Sequence, residues 1–251
     1  MEFLYWFGRI VRWLLVINIV FIIHEYGHLS ELRKRNVPLQ EFSLGMGPIL
    51  YQLQGKDTVY NVRAIPVVAG VRPTKEGFDS ITTLPFTDFF LICFAGVRNN
   101  IIVGIVMILT FFWCGVIKKQ PVTLVYFYKT TSKILFDTII LFAYFFRETF
   151  ARREYITSHT RTIPIPITPP YFLQQFLYWN LILGLWNIMP LYPMDGGRIF
   201  ASAVEHIFGN NASEIFTYAS FIVFMFFIWK GISNIQFVEF GDWRYKYRYE
   251  D

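Results

Sequence analysis

Two histidines four residues apart close a long apolar segment near the start of the chain, and this combination restricts the fold more than any other feature. Residues 11–23 are almost entirely apolar, and His24-Glu25-Tyr26-Gly27-His28 follows directly. On an α-helix, residues four apart lie on one face, so the two imidazoles can bind one metal ion. Glu25 can then reach a water held by that metal, an arrangement that zinc hydrolases use. The sequence therefore predicts a Zn²⁺ site at the end of an apolar helix.

The composition indicates an integral, multi-pass membrane protein in contact with the lipid bilayer. Of the 251 residues, 54% are hydrophobic and only 16% are charged, whereas soluble domains have about 25% charged residues. The mean hydropathy of +0.39 agrees with this. The net charge is +5, but the basic residues gather at the ends of apolar runs, as membrane-flanking residues do. We therefore expect no nucleic acid among the partners.

The predicted fold class is an all-α membrane protein with a re-entrant β-hairpin after the first helix. We expect one domain over residues 1–251 with about four transmembrane helices, or five if residues 134–146 also cross the membrane. That stretch is shorter than the roughly 20 residues of a span, which favours an interfacial helix between the second and third spans. The predicted segments are the helix with the zinc motif (3–32), the hairpin (42–72), the second span (89–117), the interfacial helix and Pro-rich linker (118–170), the third span (171–199) and the last span (215–235).

Two β-prone runs, residues 49–53 and 58–62, predict the hairpin, with Gln54-Gly55-Lys56-Asp57 as its turn. Non-helical backbone at membrane depth must be buried in protein or line a wet cavity. An exposed edge of this hairpin could receive an extended substrate strand. A purely structural flap is an equally good interpretation of the sequence.

A catalytic zinc usually has three protein ligands, so a third ligand must come from elsewhere in the chain. Asp195 is the best candidate, because it follows a Pro-rich helix break and because a carboxylate at membrane depth needs a positive partner. Asp137 is a competing candidate, and Glu205 and His206 are weaker ones. With zinc in place, Glu25 can act as the general base that activates water for hydrolysis of an amide.

Asn100 is a second polar residue inside an apolar stretch, together with its neighbours in residues 95–100. In one interpretation these residues lie near the membrane interface, with Ala95 and Gly96 permitting close helix packing. In the other, Asn100 faces a polar cavity beside the metal and contacts substrate, because polar residues inside membranes are often functional. The sequence leaves both interpretations open.

At these residues the chain resembles the site-2 protease family of intramembrane zinc metalloproteases. The segment from His24 to His28 is similar to that family's first motif, and residues 187–197 are similar to its second. Ala95-Gly96 followed by Asn100 resembles the middle-helix pattern, although Val97 stands where proline is usual. Residues 42–48 resemble the re-entrant β-loop of the bacterial members that are similar to the regulator of sigma-E protease.

The resemblance implies a zinc metalloendopeptidase with His24, His28 and Asp195 as zinc ligands, Glu25 as the catalytic carboxylate and Asn187 near the substrate. It implies single-spanning membrane proteins or signal-peptide remnants as substrates of regulated intramembrane proteolysis, in a bacterial-type inner or plasma membrane. Many relatives carry PDZ domains after the second span, and residues 118–170 are too few to hold one. The alternatives are a catalytically silent relative that binds membrane proteins and, less favoured, a metal transporter.

Overall fold

The computed structural model describes residues 2–117 and 171–234. Within these ranges the chain forms six helices and one β-hairpin. In chain order they are α1 (Glu2–Lys34), β1 (Leu39–Gln54), β2 (Val59–Pro73), α2 (Lys75–Thr82), α3 (Phe86–Ile117), α4 (Tyr171–Ile188), α5 (Asp195–Phe208) and α6 (Asn210–Asn234).

Three helical segments among the described residues are long and apolar enough to cross a membrane: Ile10–Lys34, Phe86–Thr110 and Asn210–Trp229. The prediction of a mostly helical membrane chain with a β-hairpin after the first helix is confirmed. The count of four or five spans stays a prediction. The expected interfacial helix and linker fall in residues 118–170, outside the described residues. Helices α2 and α5 are not among the predicted elements.

Helices α1 and α3 cross with their backbones in contact. A Cβ atom on Gly27 would collide with the carbonyl oxygen of Ala95. A Cβ atom on Gly96 would lie 2.5 Å from the Nε2 atom of His24 and 2.6 Å from that of His28. Small residues permit such close approach in membrane bundles, where packing rather than hydrophobicity drives helix association. The glycines therefore bring α3 directly against the two imidazole rings.

An ion cluster near the end of α1 fixes α1 against α3, one helical turn beyond His28. Glu31 is buried, and its carboxylate accepts hydrogen bonds from Lys34 at 2.9 Å and Arg35 at 2.6 Å, both close by in sequence. Arg98 of α3 donates to the same carboxylate at 2.8 Å. A buried carboxylate is tolerated when it is paired and hydrogen-bonded in this way. The contact between Glu31 and Arg98 therefore sets the register of the two helices close to the histidines.

The two strands form an antiparallel hairpin that curls upon itself. Residues 41–44 of β1 each have two neighbours in β2, so that Phe42 lies beside both Val71 and Tyr60. Phe42 belongs to one buried hydrophobic cluster with Leu29 and Leu32 of α1. The hairpin is thus attached to the helix that carries the histidines. Its depth in the membrane stays a prediction.

The turn of the hairpin is tied back to α1 by a bidentate ion pair. Arg33 donates from Nε and Nη2 to the two carboxylate oxygens of Asp57, at 2.8 and 2.6 Å. This pairing lowers the pKa of the exposed Asp57 carboxyl below its ordinary value. Arg33 also donates to the hydroxyl of Tyr60 at 3.0 Å. Both ends of the curled sheet are therefore anchored to one helix.

Helix α4 packs on α3 and then breaks before α5. Ile108 of α3 clusters with the buried Leu177 and Leu181 of α4. Six residues, including two prolines, separate the end of α4 from Asp195, the first residue of α5. A Cβ atom on Gly196 would collide with the carbonyl oxygen of Ile188, so the chain doubles back over the end of α4. Only glycine permits this close approach.

Substitution of Gly27 by alanine tests the close helix contact. Gly27→Ala should destabilise the protein by about 1–3 kcal/mol, the usual cost of overpacking, because the new methyl group meets backbone rather than a flexible side chain. The matched control is Gly8→Ala on the same helix, where nothing lies within 4 Å of an added Cβ. It should be neutral or stabilising, since alanine favours helix. Thermal unfolding in detergent measures both, and equal Tm values would contradict the tight crossing.

Candidate metal centre

Helix α1 presents His24 and His28 side by side. Their Nε2 atoms lie 3.3 Å apart, and the ring centroids are separated by 5.0 Å. The spacing of four residues places them on one face of the helix. His24 is buried at 4% exposure, and His28 is half-buried. The two nitrogens therefore face one small volume that is screened from solvent.

The break between α4 and α5 brings Asp195 to this volume. Its Oδ2 atom lies 3.1 Å from His24 Nε2 and 3.2 Å from His28 Nε2, although 171 positions separate Asp195 from His24. Asp195 is itself buried at 6% exposure. The structure thus brings together the three residues that the sequence predicts as ligands. Their role as zinc ligands stays a prediction.

The spacing of these three atoms fits a tetrahedral zinc ion. Bonds of about 2.0–2.1 Å to nitrogen and oxygen correspond to a tetrahedral edge of about 3.3 Å between ligand atoms. The three observed separations, 3.1, 3.2 and 3.3 Å, are close to that edge. Two imidazoles and one carboxylate with a fourth position left for water form the donor set of a catalytic zinc site. The backbone of Gly96 borders the site where a side chain would fill it.

A backbone carbonyl group orients His28. Its Nδ1 atom lies 2.8 Å from the carbonyl oxygen of Ile92 on α3. A carbonyl oxygen accepts only, so Nδ1 must carry a proton, and in the neutral imidazole the Nε2 lone pair is then free for a metal. Outer hydrogen bonds of this kind are usual for histidines that ligate metals. Sequence reasoning missed this group because a carbonyl contact leaves no side-chain signal.

Glu25 lies beside the histidines on α1. The carboxylate oxygen of Glu25 and the ring nitrogens of His24 and His28 all lie within 4.8 Å of one another, and Glu25 is partly buried. This upper limit on their separation is short enough for Glu25 to contact a water at the fourth position of a zinc site. A carboxylate so placed can exchange a proton with that water.

The other candidates lie in different positions. Asn100 is fully buried, with Nδ2 3.4 Å from His24 Nδ1. Asn187 is half-buried in the last turn of α4, where its Nδ2 donates to the carbonyl oxygen of Leu183 at 3.0 Å. Glu205 and His206 are exposed on α5. Asp137 lies outside the described residues. Contact of Asn100 or Asn187 with substrate stays a prediction.

The chain is similar to a known protein family over most of its length and to individual proteins over shorter parts. The model of peptidase family M50 matches residues 12–230. A Fusobacterium nucleatum relative is 29% identical over 98 residues, covering 37% of this chain and 29% of the relative. A Nostoc relative is 30% identical over 103 residues (38% and 28%), and a Clostridium acetobutylicum relative is 39% identical over 61 residues (24% and 18%).

Each of these three relatives bears the name "Putative zinc metalloprotease". The aligned part of the chain spans less than a third of the length of each, at 29%, 28% and 18%.

Removal of the Asp195 carboxylate should weaken zinc binding more than removal of an outer hydrogen bond to a ligand would. We expect Asp195→Ala to lower zinc affinity by more than the roughly 10–100-fold lost with an outer hydrogen bond, because a direct ligand disappears. The control is Glu205→Ala, which removes an exposed carboxylate from the same helix. Metal analysis of the purified proteins and titration against a chelator measure the difference. Equal zinc content in both variants would count against Asp195 as a ligand.

Proposed function

The chain belongs to peptidase family M50, and we propose that it is an intramembrane zinc metalloprotease of the site-2 protease type, hydrolysing peptide bonds in or near transmembrane segments. The observation that carries the proposal is the convergence of His24, His28 and Asp195 on one buried volume with Glu25 alongside. Both histidines lie within Ile10–Lys34, a segment apolar enough to cross a membrane. A site at that position is best reached by peptide that is itself in the bilayer.

His24 Nε2, His28 Nε2 and Asp195 Oδ2 would hold the zinc ion, which supplies Lewis acidity toward a water molecule and the scissile carbonyl group. Glu25 accepts a proton from the attacking water at its carboxylate. It then returns that proton to the nitrogen of the leaving amine. Burial of the site strengthens these electrostatic interactions, because the surroundings screen charge poorly.

A transmembrane substrate must unwind before its peptide bond can be attacked, because helical carbonyl groups are engaged in hydrogen bonds. The hairpin offers replacement partners. Among the described residues, Pro66, Val67 and Val68 of β2 have no neighbour in β1. A strand edge of this kind can take up an extended peptide by main-chain pairing. We propose that this open stretch of β2 receives the unwound substrate.

Asn18 holds that stretch beside the face of α1 that carries Glu25. Its Nδ2 atom donates to the carbonyl oxygen of Pro66 at 2.8 Å and to that of Leu14 at 2.6 Å. Asn18 precedes Glu25 by seven residues, which is nearly two helical turns, so both lie on one face about 10 Å apart along the axis. That separation equals about three residues of extended peptide. The open part of β2 therefore lies within a few residues of the proposed cleavage point.

The proposed substrates are single-spanning membrane proteins and remnants of signal peptides, cleaved in a bacterial-type inner or plasma membrane as regulated intramembrane proteolysis. Asn187, in the last turn before the helix break, is a candidate to contact the substrate backbone near Asp195. Three apolar helices and a buried polar site support this class of substrate over soluble proteins.

Replacing the Glu25 carboxylate by an amide should separate metal binding from catalysis. Glu25→Gln should lower kcat by at least about 10²–10⁴-fold, the usual contribution of a general base, while zinc content stays at the wild-type level. Cleavage of a spanning peptide in vesicles or detergent measures kcat. Glu205→Gln, the same change at an exposed site on α5, should leave kcat unaltered.

Retained turnover in Glu25→Gln would refute the assigned role. Zinc binding by the wild type without turnover of any spanning peptide in a panel would instead favour the catalytically silent alternative. Zinc uptake into vesicles, lost with His24→Ala, would favour the transporter.

Loss of the amide at position 18 should weaken substrate binding more than it slows the chemical step. Asn18→Leu keeps the branching of the side chain but cannot hold Pro66, so we expect KM to rise several-fold, as loss of about 1 kcal/mol predicts, with kcat nearly unchanged. The control Asn211→Leu replaces an exposed asparagine of α6. Steady-state kinetics on a spanning peptide give both constants. An unchanged KM in Asn18→Leu would contradict a role for β2 in binding substrate.

A further inference from the structure

Asn100 lies behind His24, on the side away from the other two ligands. Asn100 is fully buried. A Cβ atom on Gly184 of α4 would lie 3.8 Å from the Cβ atom of Asn100, so α4 covers this side chain. Its Nδ2 atom is 3.4 Å from His24 Nδ1. Its Oδ1 atom has no hydrogen-bond partner among the described residues. A buried amide oxygen without a partner costs about 1–3 kcal/mol, so this orphaned atom requires an explanation.

The chemistry of His24 provides one. Its Nε2 atom faces Asp195 and His28, at 3.1 and 3.3 Å. A neutral imidazole offers a lone pair at Nε2 only when Nδ1 carries the proton. The Nδ1–H group then needs an acceptor, and Asn100 is the polar side chain that lies against it. An amide nitrogen cannot accept, whereas the orphaned Oδ1 atom can.

A half-turn of the Asn100 amide about its Cβ–Cγ bond exchanges Oδ1 and Nδ2 with almost no change in shape. We propose that Asn100 is a positioning residue for the metal, accepting a hydrogen bond at Oδ1 from Nδ1–H of His24. The inference rests on the proposed zinc chemistry of the site. It assigns Asn100 a role different from the substrate contact that is one interpretation of the sequence.

Helix α3 then orients both imidazoles, with a different kind of acceptor for each. The carbonyl oxygen of Ile92 accepts from His28 Nδ1–H at 2.8 Å, and the side chain of Asn100 serves His24. Each contact fixes one tautomer and one ring orientation, as outer hydrogen bonds to metal ligands do. The contact to His24 comes from a side chain, that of Asn100, and can therefore be removed by substitution.

Zinc affinity, measured on the full chain in detergent by competition with a chelator and without substrate, tests the proposal. Asn100→Leu should lower zinc affinity by about 10–100-fold. The matched control is Asn99→Leu, the same change one residue earlier. Asn99 Nδ2 donates to the carbonyl oxygen of Ile23 at 3.2 Å, so this control removes a contact between the same helices without touching an imidazole. Its zinc affinity should stay near that of the wild type.

Asn100→Asp tests whether the side chain at position 100 accepts a hydrogen bond from His24 or donates one to it. The aspartate keeps an acceptor and lacks the amide N–H donors, so zinc affinity should equal or exceed that of the wild type. This variant also carries the test if Asn100→Leu does not fold. Weaker zinc binding by Asn100→Asp would overturn the proposal, and so would wild-type affinity in Asn100→Leu. Equal losses in Asn99→Leu and Asn100→Leu would overturn it too, by showing an effect of helix packing alone.

These results are separate from the outcome for proteolysis. A wild type that binds zinc and shows the expected pattern of variants, yet cleaves no peptide, would refute the proposed function and leave Asn100 as a positioning residue. A wild type that cleaves spanning peptides, with zinc affinity insensitive to Asn100→Leu, would support the proposed function and refute the role of Asn100 as a positioning residue.

Discussion

A carboxylate buried in an apolar bundle is stable only beside a compensating positive charge, and the structure depends on how this requirement is met at Asp195. The nearest groups are two imidazoles, at 3.1 and 3.2 Å, which carry no charge when neutral. A divalent cation at the common centre would satisfy all three side chains at once, and the spacing of their atoms permits it. The carboxylate would therefore make metal binding and correct folding interdependent, because the three ligands lie on segments that are distant in sequence.

Backbone contact makes this convergence possible. Gly27 and Ala95 allow α1 and α3 to touch, Gly96 gives the rings room, and Gly196 lets the chain turn back sharply after α4. None of these residues supplies a ligand. The three glycines lack a Cβ atom that would collide with backbone or with an imidazole ring, and the ion pair of Glu31 with Arg98 holds α1 and α3 in register. The site is thus defined as much by absent side chains as by the ligands.

Much of this arrangement can be predicted from the sequence because it follows from local rules. The spacing of His24 and His28 requires only helical periodicity, and the hairpin follows from a turn between two β-prone runs. Asp195 could be chosen because a carboxylate in a membrane segment needs a partner. The Ile92 carbonyl could not be found, since every residue has one and only the register of α3 against α1 selects it. The environment of Asn100 likewise depends on α4, whose packing no local pattern reveals.

The hairpin offers main-chain hydrogen bonds to an unwound peptide, which the metal centre cannot supply. In lipid a peptide that leaves the helical conformation loses main-chain hydrogen bonds that water does not replace, so hydrolysis there requires protein groups as substitutes. The open stretch of β2 has such groups, but they are not equivalent. Pro66 lacks an N–H group, and its carbonyl oxygen is already engaged by Asn18. Main-chain pairing with the proposed substrate would therefore rest mainly on Val67 and Val68, which are 39% and 37% exposed. Asn18 thus stabilises the open stretch at Pro66, the position within it that cannot donate, while Val67 and Val68 would stay available to the proposed substrate.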